Sequence, residues 1–138
     1  MSKFPHIKQI NELDCGPTCL KMIAALYGIT FDSNIILNTI RLSRKGSNLL
    51  DISDAAEKIG FKTSGLLLSI EQLNDVTLPS IVHLKRKHFA VLFKIENGIY
   101  HIADPANTIF NITKAEFSKY WLGNKRGMGK GVILTFSL

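Results

Sequence analysis

The 138-residue sequence lacks the features that would place it in several broad classes. It has two cysteines, Cys15 and Cys19, too few for a disulfide scaffold or a structural zinc set. One helical turn apart, they would also make a poor disulfide, so reduced thiols are expected. No apolar run approaches the roughly 20 residues that a membrane span needs. The start, Met1-Ser2-Lys3-Phe4-Pro5, has no continuous apolar stretch of the secretory kind, which makes a soluble chain on the cytosolic side the default expectation. A Gly-rich Walker-type phosphate loop is absent, and with it any means of handling ATP within these residues. Repeats, linkers and low-complexity tracts are missing too.

What remains has the composition of a folded domain. Hydrophobic residues make up 46% of the chain and charged residues 20%, which argues against disorder, and the length suits one domain with its own core. The net charge is +6, from 17 Lys+Arg against 11 Asp+Glu. Its basic residues gather at Arg41, Arg44 and Lys45, at Lys85-Arg86-Lys87, and at Lys125, Arg126 and Lys130. None of these clusters interleaves with stacking aromatics as single-strand binders do, so they read as solvated loops and no nucleic-acid partner is expected.

The first half is helical in pattern. Leu20, Ile23, Ala24 and Tyr27 recur at helical spacing, Pro17 suits a first turn and Gly28 a stop, which predicts a helix over Pro17 to Tyr27. Further helices are expected over Asp32 to Arg41 and over Leu49 to Ile59, the latter capped by Ser47 or Asn48 and ended by Gly60. From Phe61 the pattern changes to strands: Lys62 to Leu68, a short helical turn at Ile70 to Leu73, then Ser80 to Leu84. The runs from His88 to Lys94 and from Ile99 to Ala103 flank Asn97-Gly98 and predict a tight hairpin, in which opposite residues sum to about 195. Asp104-Pro105-Ala106-Asn107 breaks the sheet. Thr113 to Glu116 forms a capping box for a helix through Trp121, and Gly131 to Phe136 closes as a strand. Helices followed by an antiparallel sheet make the fold class α+β.

A thiol is only a few per cent ionised at neutral pH, so a nucleophilic cysteine needs a helix N-terminus or an imidazolium beside it. Cys15, in Asp14-Cys15-Gly16-Pro17-Thr18, stands at the mouth of the first helix, where unpaired N–H groups converge. This local setting leaves open whether it is a nucleophile or a packed thiol. Cys19 lies one turn deeper, on the face of Leu20 and Ile23, and reads as a core thiol. His88 begins one strand of the hairpin and Asp104 ends the other, so the ladder brings a carboxylate within reach of an imidazole whose tautomer it would fix. Gln9 lies upstream of Cys15, where its amide can donate to a developing oxyanion together with the Cys15 N–H. His83 and His101 fall in strands and His6 is expected at the surface. Combining Cys15, Cys19 and His88 gives no zinc-ligand rhythm, so neither metal nor cofactor is expected.

Several stretches then form one pattern: Gln9, Asp14-Cys15-Gly16, Leu20, Met22-Ile23, Tyr27-Gly28, Ala55-Ala56-Glu57, Gly60-Phe61, Pro79 with Ile81 and His83, His88 to Leu92, Asp104-Pro105-Ala106, and Trp121-Leu122-Gly123. In order and spacing, these resemble the bacteriocin-processing peptidase domain of peptidase-containing ABC transporters. The resemblance implies a papain-like cysteine peptidase, N-terminal helical half first and antiparallel sheet second. Residues 1–138 would be one peptidase domain, N-terminal in a larger exporter. Its implied substrate is a precursor peptide with a double-glycine leader, cut on the cytoplasmic side of the bacterial inner membrane. Its implied partners are the transmembrane and ATP-binding domains of that exporter. On this pattern Cys15 is the nucleophile, His88 the base, Asp104 the orienting acid and Gln9 the oxyanion donor; Thr18 stands where the family often has alanine. The alternative implied by the same resemblance is a leader-docking module with little cleavage.

Overall fold

The computed structural model describes residues 4–10, 15–32, 34, 48–85, 88–122 and 129–138. The first helix, α1 (Cys15–Leu26), buries Leu20, Met22, Ile23 and Ala24. It ends in a Schellman closure: Ile29 N–H donates to Ala24 O at 2.9 Å and Gly28 N–H to Ala25 O at 3.1 Å, with Gly28 at φ 71°. It starts earlier than the expected Pro17, so Cys15 lies within the first turn and not ahead of it. Asn48 caps α2 (Leu49–Lys58), its Oδ1 accepting from Asp51 N–H at 2.8 Å while the Asp51 carboxylate accepts from Asn48 N–H at 3.4 Å. Thr113 caps α3 (Lys114–Trp121) by the same reciprocal device with Glu116. The helix expected over Asp32 to Arg41 lies largely outside the described residues, as do Asp14 and most of the basic clusters.

Six strands form one antiparallel sheet: β1 (Lys62–Ser69), β2 (Ser80–Leu84), β3 (His88–Glu96), β4 (Ile99–Ala103), β5 (Ile109–Thr113) and β6 (Lys130–Ser137), in the order β1-β6-β2-β3-β4-β5. A 3-10 helix over Glu71–Asp75 follows β1. The edge strand β5 was not expected from the sequence. Because side chains alternate across a strand, the inner strands β6, β2, β3 and β4 each feed two cores. Phe61, Ile81, Phe89, Val91, Ala103, Leu134 and Phe136 pack with α1 and α2 on one side. Val82, Ala90, Leu92, Tyr100, Ile102 and Ile133 pack with α3 on the other, where Phe117 stacks on Tyr100 at 4.8 Å and on Trp121 at 5.4 Å between ring centroids.

The β3–β4 hairpin positions the site. Asn97 and Gly98 both take positive φ, 53° and 74°, as a type I′ turn requires. Pairing follows the expected register from Glu96↔Ile99 to Lys94↔His101. It then shifts between Leu92 and Lys94, so that Leu92 faces Ile102 and Val91 faces Ala103. Phe93 is thus the extra residue of a β-bulge, which slides β4 by one position against the start of β3.

Candidate active site

Cys15 is the first residue of α1, half-buried, and its thiol meets the imidazole of His88, the first residue of β3. By alternation His88 belongs with Ala90 and Leu92 on the α3 side, whereas Cys15 packs against the opposite core. The two meet at the end of the sheet, where the layers come together. Asp104 follows β4 directly, and its Oδ1 accepts from His88 Nε2 at 2.8 Å. This fixes the tautomer: Nε2 carries the proton shared with Asp104, and Nδ1 is left for Cys15. The same Oδ1 accepts from Ala106 N–H at 2.8 Å, while Asp104 N–H donates to Thr108 O at 3.0 Å. The carboxylate is therefore held by its own turn.

The electrostatics favour an ion pair. Burial is the largest influence on the Cys15 thiol and opposes ionisation. The hydrogen bond from His88, the Phe89 N–H, the imidazolium charge and the Gly16 N–H together outweigh it, and hold the thiol below its ordinary 9.0. His88 is pushed up to about 9, first by its hydrogen bond to Asp104 and then by that to Cys15, against the opposing effect of burial. Burial also works against Asp104 ionisation, but the His88 hydrogen bond, the Ala106 N–H and the charges of His88 and His6 keep its carboxyl below the ordinary 3.8. Cys19 behaves oppositely: wholly buried, its thiol is pushed well up by desolvation and by the nearby Cys15 and Asp104 charges.

Of the residues the sequence pointed to, Cys15, His88 and Asp104 are brought together. Gln9 is half-buried beside them, its main-chain N–H donating to Pro105 O at 2.7 Å. Cys19 is a core thiol and His83 stacks on Phe89 at 4.6 Å. His6 is not the surface residue expected: it is half-buried, and its Nε2–H donates to the Asp104 carbonyl at 2.8 Å. No signal in the sequence marked it, because the contact joins residues 98 apart in the chain.

His88 and Asp104 open onto a cavity of about 720 Å3 on the α3 side. Ile102, Phe110, Ile112, Phe117 and Tyr120 supply its apolar wall. A second cavity of about 420 Å3, walled by Leu67, Trp121 and Val132, shares Leu84, Lys85 and Tyr120 with the first.

A thiol at a helix mouth, an imidazole against it and a carboxylate behind the imidazole are the parts of a papain-like thiol hydrolase. The chain belongs to the Peptidase C39 family, whose profile matches residues 3–125. It is 33% identical over 121 residues to the colicin V secretion/processing ATP-binding protein CvaB of Escherichia coli, a match that covers 88% of this chain and 17% of that protein. It is 32% identical over 123 residues to the lactococcin-G-processing and transport ATP-binding protein LagD of Lactococcus lactis subsp. lactis, covering 85% and 18%. The chain therefore spans under a fifth of the length of these curated relatives. A crystal structure of a double glycine motif protease from an AMS/PCAT transporter, in complex with the leader peptide, superposes with a TM-score of 0.85 at 30% identity, covering 97% of this chain and 91% of that one. The peptidase domain of Streptococcus ComA gives 0.81 at 26% identity and covers 98% of both chains.

Proposed function

We propose that this domain cuts precursor peptides after a double-glycine leader, as the peptidase part of a peptide exporter, with Cys15 as nucleophile, His88 as acid and base, Asp104 as orienting acid and Gln9 as oxyanion donor. The observation that carries the reading is the Cys15–His88–Asp104 array, whose His88 and Asp104 line a largely apolar cavity. The Cys15 thiolate attacks the carbonyl carbon of the second glycine, forming the C–S bond. Gln9 and the Cys15 N–H hold the oxyanion. The His88 imidazolium then protonates the departing amide nitrogen as the C–N bond breaks. Water, deprotonated by His88, cleaves the thioester and returns the thiolate.

Glycine suits the approach to such a site because a residue without Cβ passes between walls that exclude every other side chain. The leader lies, on this reading, as an amphipathic helix along the two adjoining cavities, its apolar face on Leu67, Phe110, Ile112 and Tyr120. Continuity of the cleft with His88 and Asp104 supports this, as does the leader-bound protease among the structural relatives. No helix among the described residues is long and apolar enough to cross a membrane. Export would fall to transmembrane and ATP-binding domains, with the peptidase on the cytosolic face; that the longer relatives are named as secretion or transport and processing ATP-binding proteins supports the link between processing and export. A docking module without cleavage would need no activated thiol, so the lowered Cys15 pKa favours the peptidase. Mass spectrometry of a double-glycine precursor, incubated with wild-type and Cys15→Ala protein, tests the reading. The expected result is a single cut after Gly-Gly that the substitution abolishes; an intact precursor with both proteins refutes it.

A further inference from the structure

The segment ahead of α1 touches the catalytic hairpin at three points in succession. Phe4 stacks on Phe93, the bulge residue of β3, at 4.5 Å between centroids and 16° between planes. His6 Nε2–H donates to the Asp104 carbonyl at 2.8 Å. Gln9 N–H donates to Pro105 O at 2.7 Å. The other main-chain bonds given to Asp104 stay within its own turn, from Asp104 N–H to Thr108 O and from Asn107 N–H to Asp104 O. They fix the shape of the turn, whose base is held by the pairing of Ala103 with Val91 and Ile109, but they do not tie the turn to the segment ahead of α1.

We propose that His6 is a positioning residue for the reaction: the N-terminal segment clamps the bulge and the Asp104–Pro105 turn, and its imidazole holds Asp104 in line behind His88. This rests on Asp104 being the orienting acid. The physical need is plain. Asp104 and Pro105 lie in the connection between β4 and the edge strand β5, and an orienting carboxylate that drifts there lets the His88 ring rotate away from the thiol. The bond is directional, because a carbonyl accepts only from a protonated ring nitrogen, so His6 must present Nε2–H. His6 touches neither Cys15 nor His88 in any contact described and acts through Asp104 alone.

The distinguishing substitutions are His6→Phe, which keeps the ring shape without a donor, and His6→Gln, whose amide nitrogen reaches about as far as Nε2. Kinetics on a double-glycine precursor should show His6→Phe lowering kcat by about tenfold with KM unchanged, the scale of one lost hydrogen bond at an aligned site. Alkylation of Cys15 by iodoacetamide should slow in parallel, and His6→Gln should restore both. Should His6→Phe fail to fold, nitrogen-15 NMR of the histidines in the wild-type protein still decides the point, since the bond requires the Nε2–H tautomer. An unchanged kcat in His6→Phe, a Gln variant no better than the Phe one, a rise in KM matching the loss, or an Nδ1–H tautomer overturns the proposal. Asp104→Ala separates the two levels: full turnover in that variant sinks the role of Asp104 itself, whereas its loss beside an unaffected His6→Phe sinks only the clamp.

Discussion

Asp104 receives the His88 Nε2–H and the Ala106 N–H on one and the same carboxylate oxygen, each at 2.8 Å. That oxygen is saturated by donors, so the carboxylate cannot swing away without losing both bonds, and its charge is fixed behind the imidazole. The Asp104 bond is also the largest single reason that His88 stays protonated up to about 9.

A bell-shaped pH profile of kcat/KM follows, with its alkaline limb near the 9 of His88 and its acid limb below the ordinary 9.0 of a thiol. Asp104→Asn keeps an oxygen that accepts from Nε2–H but removes the charge. The alkaline limb should then move down toward the ordinary 6.5 of histidine, and kcat should fall by about a hundredfold. An unmoved limb would contradict the assignment.

Folded stability should follow the same groups. The raised His88 lends stability that is complete below 6.5 and is lost as pH rises through about 9. The depressed Asp104 lends stability that is present above 3.8 and is lost as pH falls through its lowered value. Urea midpoints measured across pH should therefore decline at both ends in the wild type and flatten in Asp104→Ala.

The two thiols should part company under alkylation. Cys15 is half-buried with its ionisation eased, whereas Cys19 is wholly buried with its ionisation opposed. Iodoacetamide at mildly acidic pH should label Cys15 alone, as peptide mapping would show. In His88→Ala that labelling should slow to the rate of an ordinary thiol, because the imidazole supplies the main stabilisation of the thiolate.

Gln9→Ala should reduce kcat by about a hundredfold to a thousandfold, the cost of one missing oxyanion donor, with Cys15 alkylation unaffected. Equal turnover in wild type and variant would remove Gln9 from the mechanism.

Away from the chemistry, Gly131 runs directly under Trp121. A Cβ there would fall inside contact distance of the indole ring carbons, and that ring is pinned by its own N–H bond to Val132 O at 2.8 Å. Gly131→Ala should cost about 1 to 3 kcal/mol of folding stability in chemical denaturation, as overpacking of a fixed neighbour does. The Cys15 thiol should keep its alkylation rate in the protein that folds.

Much of this was legible in the residues because local chemistry determined it. Asn97-Gly98 admits one kind of hairpin, Thr113 and Glu116 one kind of helix start, and Cys15 before Gly16-Pro17 a thiol at a helix mouth. The Phe93 bulge was not legible, since an extra residue in a strand leaves the hydrophobic alternation locally ambiguous and moves the pairing by only one place. Strand β5 was missed because its Ile109-Phe110-Asn111-Ile112-Thr113 run is short and its burial partial, as befits a sheet edge. His6 was missed for a different reason: its partner is a backbone carbonyl, which every residue carries and no sequence pattern marks.

Strand β6, the last described in the chain, lies between β1 and β2 and pairs with both. Within the sheet, then, β1 has no hydrogen-bonded link to β2 and the later strands until Lys130–Ser137 docks between them, so the six strands close into one sheet only through the strand that comes last in order.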